Sequence, residues 1–304
     1  MIQTDSTICL TISGAMTPVG MGGIIRTLIQ NGLVDWIITT GANVYHESHF
    51  SGGLPVKQGY HKVDDNVLYE KGIVRIYDVF VKYWQTLENQ DQSIQKFSKS
   101  FDAQAFTTCE FCHFFGKYEK MHSKFSDKSF VICAYDYDVP VFVSTLKDSS
   151  LALNLVFERF NERPFTLDFA REIIQQASIL YNSRHSGVIE LGGGVPKNLA
   201  EQLPYFLSNN LHFNHKSYGH DYVVQITDAR EDDGGTSGAP FSQGLGWHQI
   251  KPKTEHAKVF CDSTIAFPIL ALHVLSKSYK RKPKRLYKKL DKLYSKIEEK
   301  MSAT

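Results

Sequence analysis

No stretch of this 304-residue chain reaches the ~18 consecutive apolar residues that a membrane-spanning helix needs, so no membrane-embedded protein is expected. Its first residues, MIQTDSTICLTISGAM, lack a basic start followed by an apolar block, and no secretory leader is expected either. Cysteine is scarce: Cys9, Cys109, Cys112, Cys133 and Cys261 form an odd, scattered set. Such a set builds no disulfide framework and points to a reducing cytoplasm. Internal repeats and low-complexity linkers are missing too, which argues for one domain rather than two. What is present is a globular composition, 42% hydrophobic and 22% charged, on a chain long enough to bury a sizeable core.

The net charge of +2 conceals an asymmetry. Residues 277–304 carry 11 Lys/Arg against 3 Asp/Glu, a net of +8, while residues 1–276 carry 23 against 29, a net of −6. Within the basic end, Leu286, Leu290, Leu293 and Ile297 recur at helical spacing, which predicts an amphipathic helix. Such a helix can contact nucleic acid or a membrane, or dock on the body with its lysines in water. Docking is the expectation. The apolar stripe needs a cover, and no aromatic or arginine pattern marks a nucleic-acid reader.

Apolar runs alternate with helix-like segments. Strands are predicted at 7–12 (TICLTI), 34–40, 130–134 (FVICA), 139–145, 188–194, 221–228 and 258–263. Helices are predicted at 22–32, ended by Gly32, near 149–160 and 166–182, and at 196–208. Residues 70–125 are helical in pattern, and 264–275 (TIAFPILALHVL) reads as a buried helix despite Pro268. The rhythm predicts an α/β fold, a parallel sheet with helices on both faces.

Ligands of open parallel sheets bind beyond the carboxyl ends of the strands. Those ends are Thr40-Gly41-Ala42, Asp148, Gly192-Gly193-Gly194, Asp228-Ala229 leading to Asp233, and Asp262-Ser263. All are small, hydroxylic or acidic. Small residues admit a ligand to the backbone, and carboxylates can hold ribose hydroxyls. The convergence of five such ends suits a dinucleotide. Gly20, Gly22 and Gly23 before a helix are a weaker phosphate signal, because their spacing is not GxGxxG.

The stretches SGAMTPVGMGGIIRTLIQNGLVDWIITTGANVYHE (13–47), VPVFVSTLKDSSL (139–151), IELGGGVPKN (189–198), ITDAREDDGGTSGA (226–239) and KVFCDSTIAFPIL (258–270) carry a likeness. In these the chain resembles the deoxyhypusine synthase family, especially its bacterial deoxyhypusine synthase-like branch; 85–130 matches least. The resemblance implies a Rossmann-like subunit, a homotetramer with sites between subunits, and bound NAD. It also implies hydride abstraction from a polyamine, with the aminobutyl group passing through an active-site lysine to an acceptor amine. Thr40, Gly41, Ala42, Asp148, Gly193, Gly194, Ala229, Asp233 and Asp262 match the family's cofactor positions. Asp228 stands for a threonine and Ser263 for an alanine.

The amine side departs from the pattern. Where the family reads Trp-Gly-Lys, this chain reads Trp247-His248-Gln249. Further family acids are replaced by Gln243, Thr236 and Leu153, and a histidine by Asn198. Glutamine cannot form an imine, and these neutral side chains cannot pair with a polyamine's charges. Three readings follow. The first is an NAD-dependent enzyme acting on a small amine without that lysine, with His248, His46 and Glu47 as acid/base candidates and Lys251 or Lys253 as substitutes after a loop shift. The others are a non-catalytic NAD-binding paralogue and a protein-modifying deoxyhypusine synthase. CEFCH (109–113) with His122 has a zinc-like spacing but no second CxxC, so its cysteines read as buried structural residues. His49, His61, His185, His212, His215, His220 and His256 read as loop or surface histidines, with His49 or His61 also able to line a pocket mouth. His273 is assigned to the buried helix.

Overall fold

The computed structural model describes residues 1–101, 105–162, 164–213, 219–232, 234–279 and 281–303. In chain order, β1 (Ser6–Ile12), α1 (Gly22–Gln30), β2 (Trp36–Thr39) and α2 (Gly41–Gly52) come first. Next are β3 (Val56–Gln58), α3 (Asp65–Glu70), β4 (Ile73–Ile76), β5 (Val79–Lys82) and α4 (Glu88–Ser100). The middle holds β6 (Ala105–Phe106), α5 (Thr108–His122), α6 (Phe130–Asp136), β7 (Val141–Val143), α7 (Ser150–Leu155), α8 (Phe157–Phe160), β8 (Thr166–Leu167) and α9 (Phe169–Tyr181). The last part is β9 (His185–Leu191), α10 (Gly194–Tyr205), β10 (His220–Thr227), α11 (Phe241–Gly246), β11 (Ile250–Phe260), α12 (Ser263–Ser276) and α13 (Leu290–Ser302).

Six strands make one parallel sheet in the order β11-β10-β9-β1-β2-β7. Counted along the chain this is 3-2-1-4-5-6, the doubly wound order, with its switch point between β1 and β9. Strand side chains alternate between the two faces. Cys9, Trp36, Ile38, Phe142 and Val188 therefore enter one core with α9, α10 and α13, while Leu10, Ile12, Ile37, Val141 and Val143 enter another with α1, α5 and α6. The α/β expectation holds.

Three expectations need correction. FVICA (130–134) lies in α6, not in a strand. Ser129 caps that helix through Val131 N and Ile132 N, and Phe130 to Ala134 are all buried, so periodicity could not separate helix from strand. Within 70–125, β4 and β5 form an antiparallel sheet with β3. The helix at 264–275 is not buried throughout. Ser263, Phe267 and Ala271 face inward, whereas Ile265, Ile269 and Leu272 are 59%, 66% and 69% exposed, and His273 is exposed with them.

The C-terminal stripe docks on the body, where Leu286, Leu290 and Ile297 are buried and α13 packs on α9. The basic segment before it pairs with acids of the body: Arg281 with Asp35, Lys284 with Asp5, and Arg285 with Asp138 at 2.7 Å. The charge asymmetry is thus partly internal. Among the described residues, no helix is long and apolar enough to cross a membrane.

Candidate active site

The carboxyl ends of the sheet are tied into one rim. Thr40 caps α2 and its Oγ1 donates to Gly14 O at 2.6 Å. The Ser13 hydroxyl donates to Gly193 O, joining the β1 and β9 ends. Gly192 N donates to Ser263 Oγ at 3.1 Å, and Ser263 Oγ donates in turn to Ile226 O at 2.9 Å. The loop after β10 folds back on this rim: Gly194 N donates to Ser237 Oγ at 3.0 Å and Gln225 Nε2 to Ser237 O at 2.9 Å. Gly193 is glycine for a contact reason, since a Cβ there would lie 2.3 Å from Ser237 Cα. Gly41 is similarly confined by Ser149 Oγ, 2.3 Å from an added Cβ.

Several cofactor candidates thus hold the rim together. The hydroxyls of Thr40 and Ser263 bond backbone, and Asp262 caps α12 by accepting from Thr264 N at 2.7 Å. Asp148 is exposed in the loop between β7 and α7 and Asp228 directly after β10, while Ala42 and Ala229 are partly exposed. Space is open beside the Cα atoms of Gly14 and Gly194, both at positive φ, where an added Cβ would meet nothing within 4 Å. Open glycine backbone flanked by exposed carboxylates is a donor set that fits a dinucleotide. Asp233 lies outside the described residues.

Gly22, however, serves a neighbouring side chain. A Cβ at Gly22 would collide with the Glu47 carboxylate, 2.1 Å away. Glu47 is buried and accepts from Phe130 N at 2.8 Å, so it holds the start of α6. Burial pushes its carboxyl up to about 8. His46 Nδ1 lies 3.0 Å from His49 Nε2, and burial lowers these imidazoles to about 4 and about 3. Neither His46 nor Glu47 reaches the cavity described next.

A cavity of about 450 Å³ opens beside the rim. Asn198, Thr236, Gln243, Trp247 and Gln249 all line it, so the fold sets Asn198 of α10 against four positions of the 236–249 segment. Trp247 is half exposed and its ring sits 5.9 Å from that of Tyr205. Gln249 lies partly buried against Gly244, with Oε1 3.2 Å from an added Cβ. His248 is exposed at φ 56, a left-handed position that glycine takes freely, so the family's glycine there has a backbone reason. Leu153 is exposed on α7 and outside this cavity. Lys251 is held by Asp221 at 2.6 Å and Lys253 is exposed in β11; neither lines the cavity.

The sequence reading missed the charged side chains of the cavity, Lys197 and Glu201. They are one turn apart on α10, 3.4 Å from each other, and Lys197 is only 2% exposed. Lys197 Nζ also donates to Thr236 O at 3.1 Å. Behind them Glu190 is fully buried on β9, beside the Glu201 carboxyl. Burial, with the nearby Glu201 carboxylate, pushes Glu190 well above the ordinary range. The only sequence signal was the i, i+4 Lys–Glu spacing, which ordinarily marks a solvated helix face.

Other candidates lie elsewhere. Cys109 and Cys112 are buried in α5, and burial pushes both thiols up. His113 stacks on Tyr287 with centroids 3.6 Å apart, and His122 Nδ1 meets Tyr118 O. Two histidines read as surface are buried: His49 on α2, and His220, which bonds Ala200 O through Nε2 at 3.1 Å. His61 stacks on Tyr77 away from the cavity. His215 falls outside the described residues.

Comparison with known proteins agrees with this geometry. The family model "Deoxyhypusine synthase" matches residues 1–274. The chain belongs to the deoxyhypusine synthase family. It is 37% identical to a deoxyhypusine synthase-like protein of Nostoc punctiforme, over 96% of this chain and 77% of that one. It is 34% identical to "Probable deoxyhypusine synthase 2" of Methanosarcina mazei, over 92% of this chain and 80% of that one. In fold it resembles a crystal structure from Entamoeba histolytica described as a "putative deoxyhypusine synthase", with a TM-score of 0.61 and 18% identity, covering 91% and 77% of the two chains.

Proposed function

We propose that this member of the deoxyhypusine synthase family is an NAD-dependent aminoalkyl transferase or amine oxidoreductase acting on a polyamine or related small amine without a lysine at position 249. The observation that carries this reading is the assembly of Asn198, Thr236, Gln243, Trp247 and Gln249 around one cavity beside the strand-end rim. The rim residues that would hold the cofactor are Thr40, Gly41, Ala42, Asp148, Gly193, Gly194, Asp228, Ala229, Asp233, Asp262 and Ser263. When bound there, NAD supplies a hydride acceptor for the carbon next to the amine nitrogen.

The cavity's own residues do the rest. Trp247 presents an aromatic face to the alkyl chain and to a cationic nitrogen. Lys197 and Glu201, the only charged side chains lining it among the described residues, pair with each other. A substrate with several ammonium groups would find few partners, so a less cationic amine is favoured. Holding donor and acceptor in one cavity supports transfer of the alkyl group between them. Gln249 then acts at the wall by hydrogen bonding, while His248 is exposed outside the cavity lining.

The expected result with NAD and a panel of spermidine, putrescine, agmatine and homospermidine is a new amine product by mass spectrometry. Trp247→Ala removes it and Gln249→Ala retains it. Loss of product in Gln249→Ala would show that residue 249 is still required. NAD binding without product from any amine would favour a non-catalytic NAD-binding paralogue.

Assembly as a homotetramer, inside the cytoplasm, completes the proposal. It is supported by the apolar strip of Phe260, Ile265, Ile269 and Leu272, which the subunit leaves in water. Ile269→Asp is expected to reduce the mass measured by light scattering. An unchanged mass would remove α12 from the interface.

A further inference from the structure

The cavity contains an amine that the family pattern does not put to covalent use. We propose that Lys197 is the nucleophile of this chain, carrying the alkyl group as an imine in place of the lysine absent at 249. This deepens the proposed function and rests on it for the supply of an oxidised amine.

Lys197 is the one lysine lining the cavity among the described residues, and it shares those walls with Trp247 and Gln249. Its ammonium has three donors. Two described partners are Thr236 O at 3.1 Å and Glu201 Oε2 at 3.4 Å. The second distance is long for a charge-assisted hydrogen bond, so the head is held without being locked. Attachment to α10 also fixes Lys197 one turn beyond Gly194, where the rim ends. The same short helix therefore positions both the cofactor rim and the amine.

A nucleophilic lysine needs its proton removed, and the surroundings contain a group for this. Glu201 touches Nζ, and burial drives its carboxyl above the ordinary range. Glu190, fully buried behind it, is driven well above the ordinary range by burial and by the Glu201 carboxylate, so it keeps its proton and leaves Glu201 as the acceptor. A proton passing from Lys197 to Glu201 removes both charges from the buried pair. The pair replaces a buried ammonium and a crowded carboxylate by two neutral groups.

The step balances without a redox partner of its own. The donor enters as an imine, R–CH=N–R′, formed from the amine with NAD as oxidant. Lys197 Nζ bonds to the imine carbon, and the C=N electron pair moves to the donor nitrogen. That nitrogen takes one Nζ proton through Glu201. The carbon–nitrogen bond to R′ then breaks as the second Nζ proton follows, releasing R′NH2 and leaving Lys197 as an imine. Attack by the acceptor amine runs the same sequence in reverse and frees Lys197; a bound NADH would supply the hydride that reduces the product imine.

The test does not need the cofactor. Wild-type protein is treated with limiting butanal and sodium cyanoborohydride, and the butylated lysines are mapped by peptide mass spectrometry. Lys197 is expected to be labelled ahead of exposed lysines such as Lys253 and Lys288. Absence of the adduct at Lys197, at a dose that labels those exposed residues, would overturn the proposal. In parallel, Lys197→Arg keeps a cation beside Glu201 and is expected to lose transferred product; unchanged product in this variant would also overturn it. The parent reading is judged separately, by amine-dependent NADH absorbance in the wild type. NADH without the adduct rejects Lys197 alone, whereas no NADH from any amine rejects the reading on which it rests.

Discussion

Gly193→Ala lowers stability by about 3 kcal/mol and the melting temperature by roughly 5 °C. The added methyl would stand 2.3 Å from Ser237 Cα and 2.5 Å from its Oγ. The first of these is backbone, so relief requires moving the loop after β10. That motion strains two bonds at once, Gly194 N to Ser237 Oγ and Gln225 Nε2 to Ser237 O. Gln225 is fully buried, and its loss of a partner is costly. The loop also carries Thr236, which lines the cavity and accepts from Lys197, so amine chemistry fails with the fold. Gly23→Ala is the control. It sits in α1 with nothing within 4 Å of an added Cβ, and alanine there gains roughly 0.5–1 kcal/mol. Scanning calorimetry distinguishes the two; equal shifts in both would reject the contact argument.

Stability falls as pH rises from about 6.5 to about 8, and Glu47→Gln removes much of the fall. Burial pushes Glu47 up to about 8 and Glu119 up to about 7. Both carboxyls are therefore protonated in the folded state at pH values where the unfolded chain has already released the proton. At these two sites the folded state binds more protons up to about pH 8; below about pH 6.5 the buried imidazoles of His46, His49, His113 and His220, lowered by burial, act in the opposite sense, so the net fall lies between about 6.5 and about 8. Above it the difference is constant, on the order of 3–5 kcal/mol for Glu47. Glutamine keeps an acceptor for Phe130 N and carries no charge. The variant is expected to match wild type near pH 5 and exceed it by a few kcal/mol above pH 8 in urea titrations. A wild-type stability that rises between about pH 6.5 and about pH 8, or a variant weaker than wild type above pH 8, would contradict the assignment.

The sheet was legible because β1, β2, β9 and β10 are apolar runs that stop at small or acidic residues. Their two-sided burial leaves little polar alternation to misread. Residues 130–134 failed for the same reason: an apolar run of that length fits a buried helix as well as a strand, and Ser129 at its start was the available cap signal. The exposed face of α12 was hidden because TIAFPILALHVL is apolar all round, which reads as burial whether the cover is this chain or another. The small antiparallel sheet went unseen because β3 has only three residues, below the length at which a period of two can be recognised.

The site divided in the same way. Glycines and acids at strand ends follow from the sheet itself, and the five cavity positions came from the likeness to the family. Lys197 and Glu201 did not emerge, since their charges suggested a solvated helix face and only packing reveals that Lys197 is buried. Glu47 had the opposite fate. Its place beside Thr40-Gly41-Ala42 suggested the rim, but α2 turns its side chain beneath α6.

The central claim is that the strand-end rim binds NAD, and titration calorimetry of NAD into the purified protein tests it most directly. The account predicts saturable binding, weakened about tenfold or more by Asp148→Ala, as loss of one charge-assisted hydrogen bond requires. No heat of binding at millimolar NAD would contradict it, and with it both the transferase reading and the non-catalytic NAD-binding alternative.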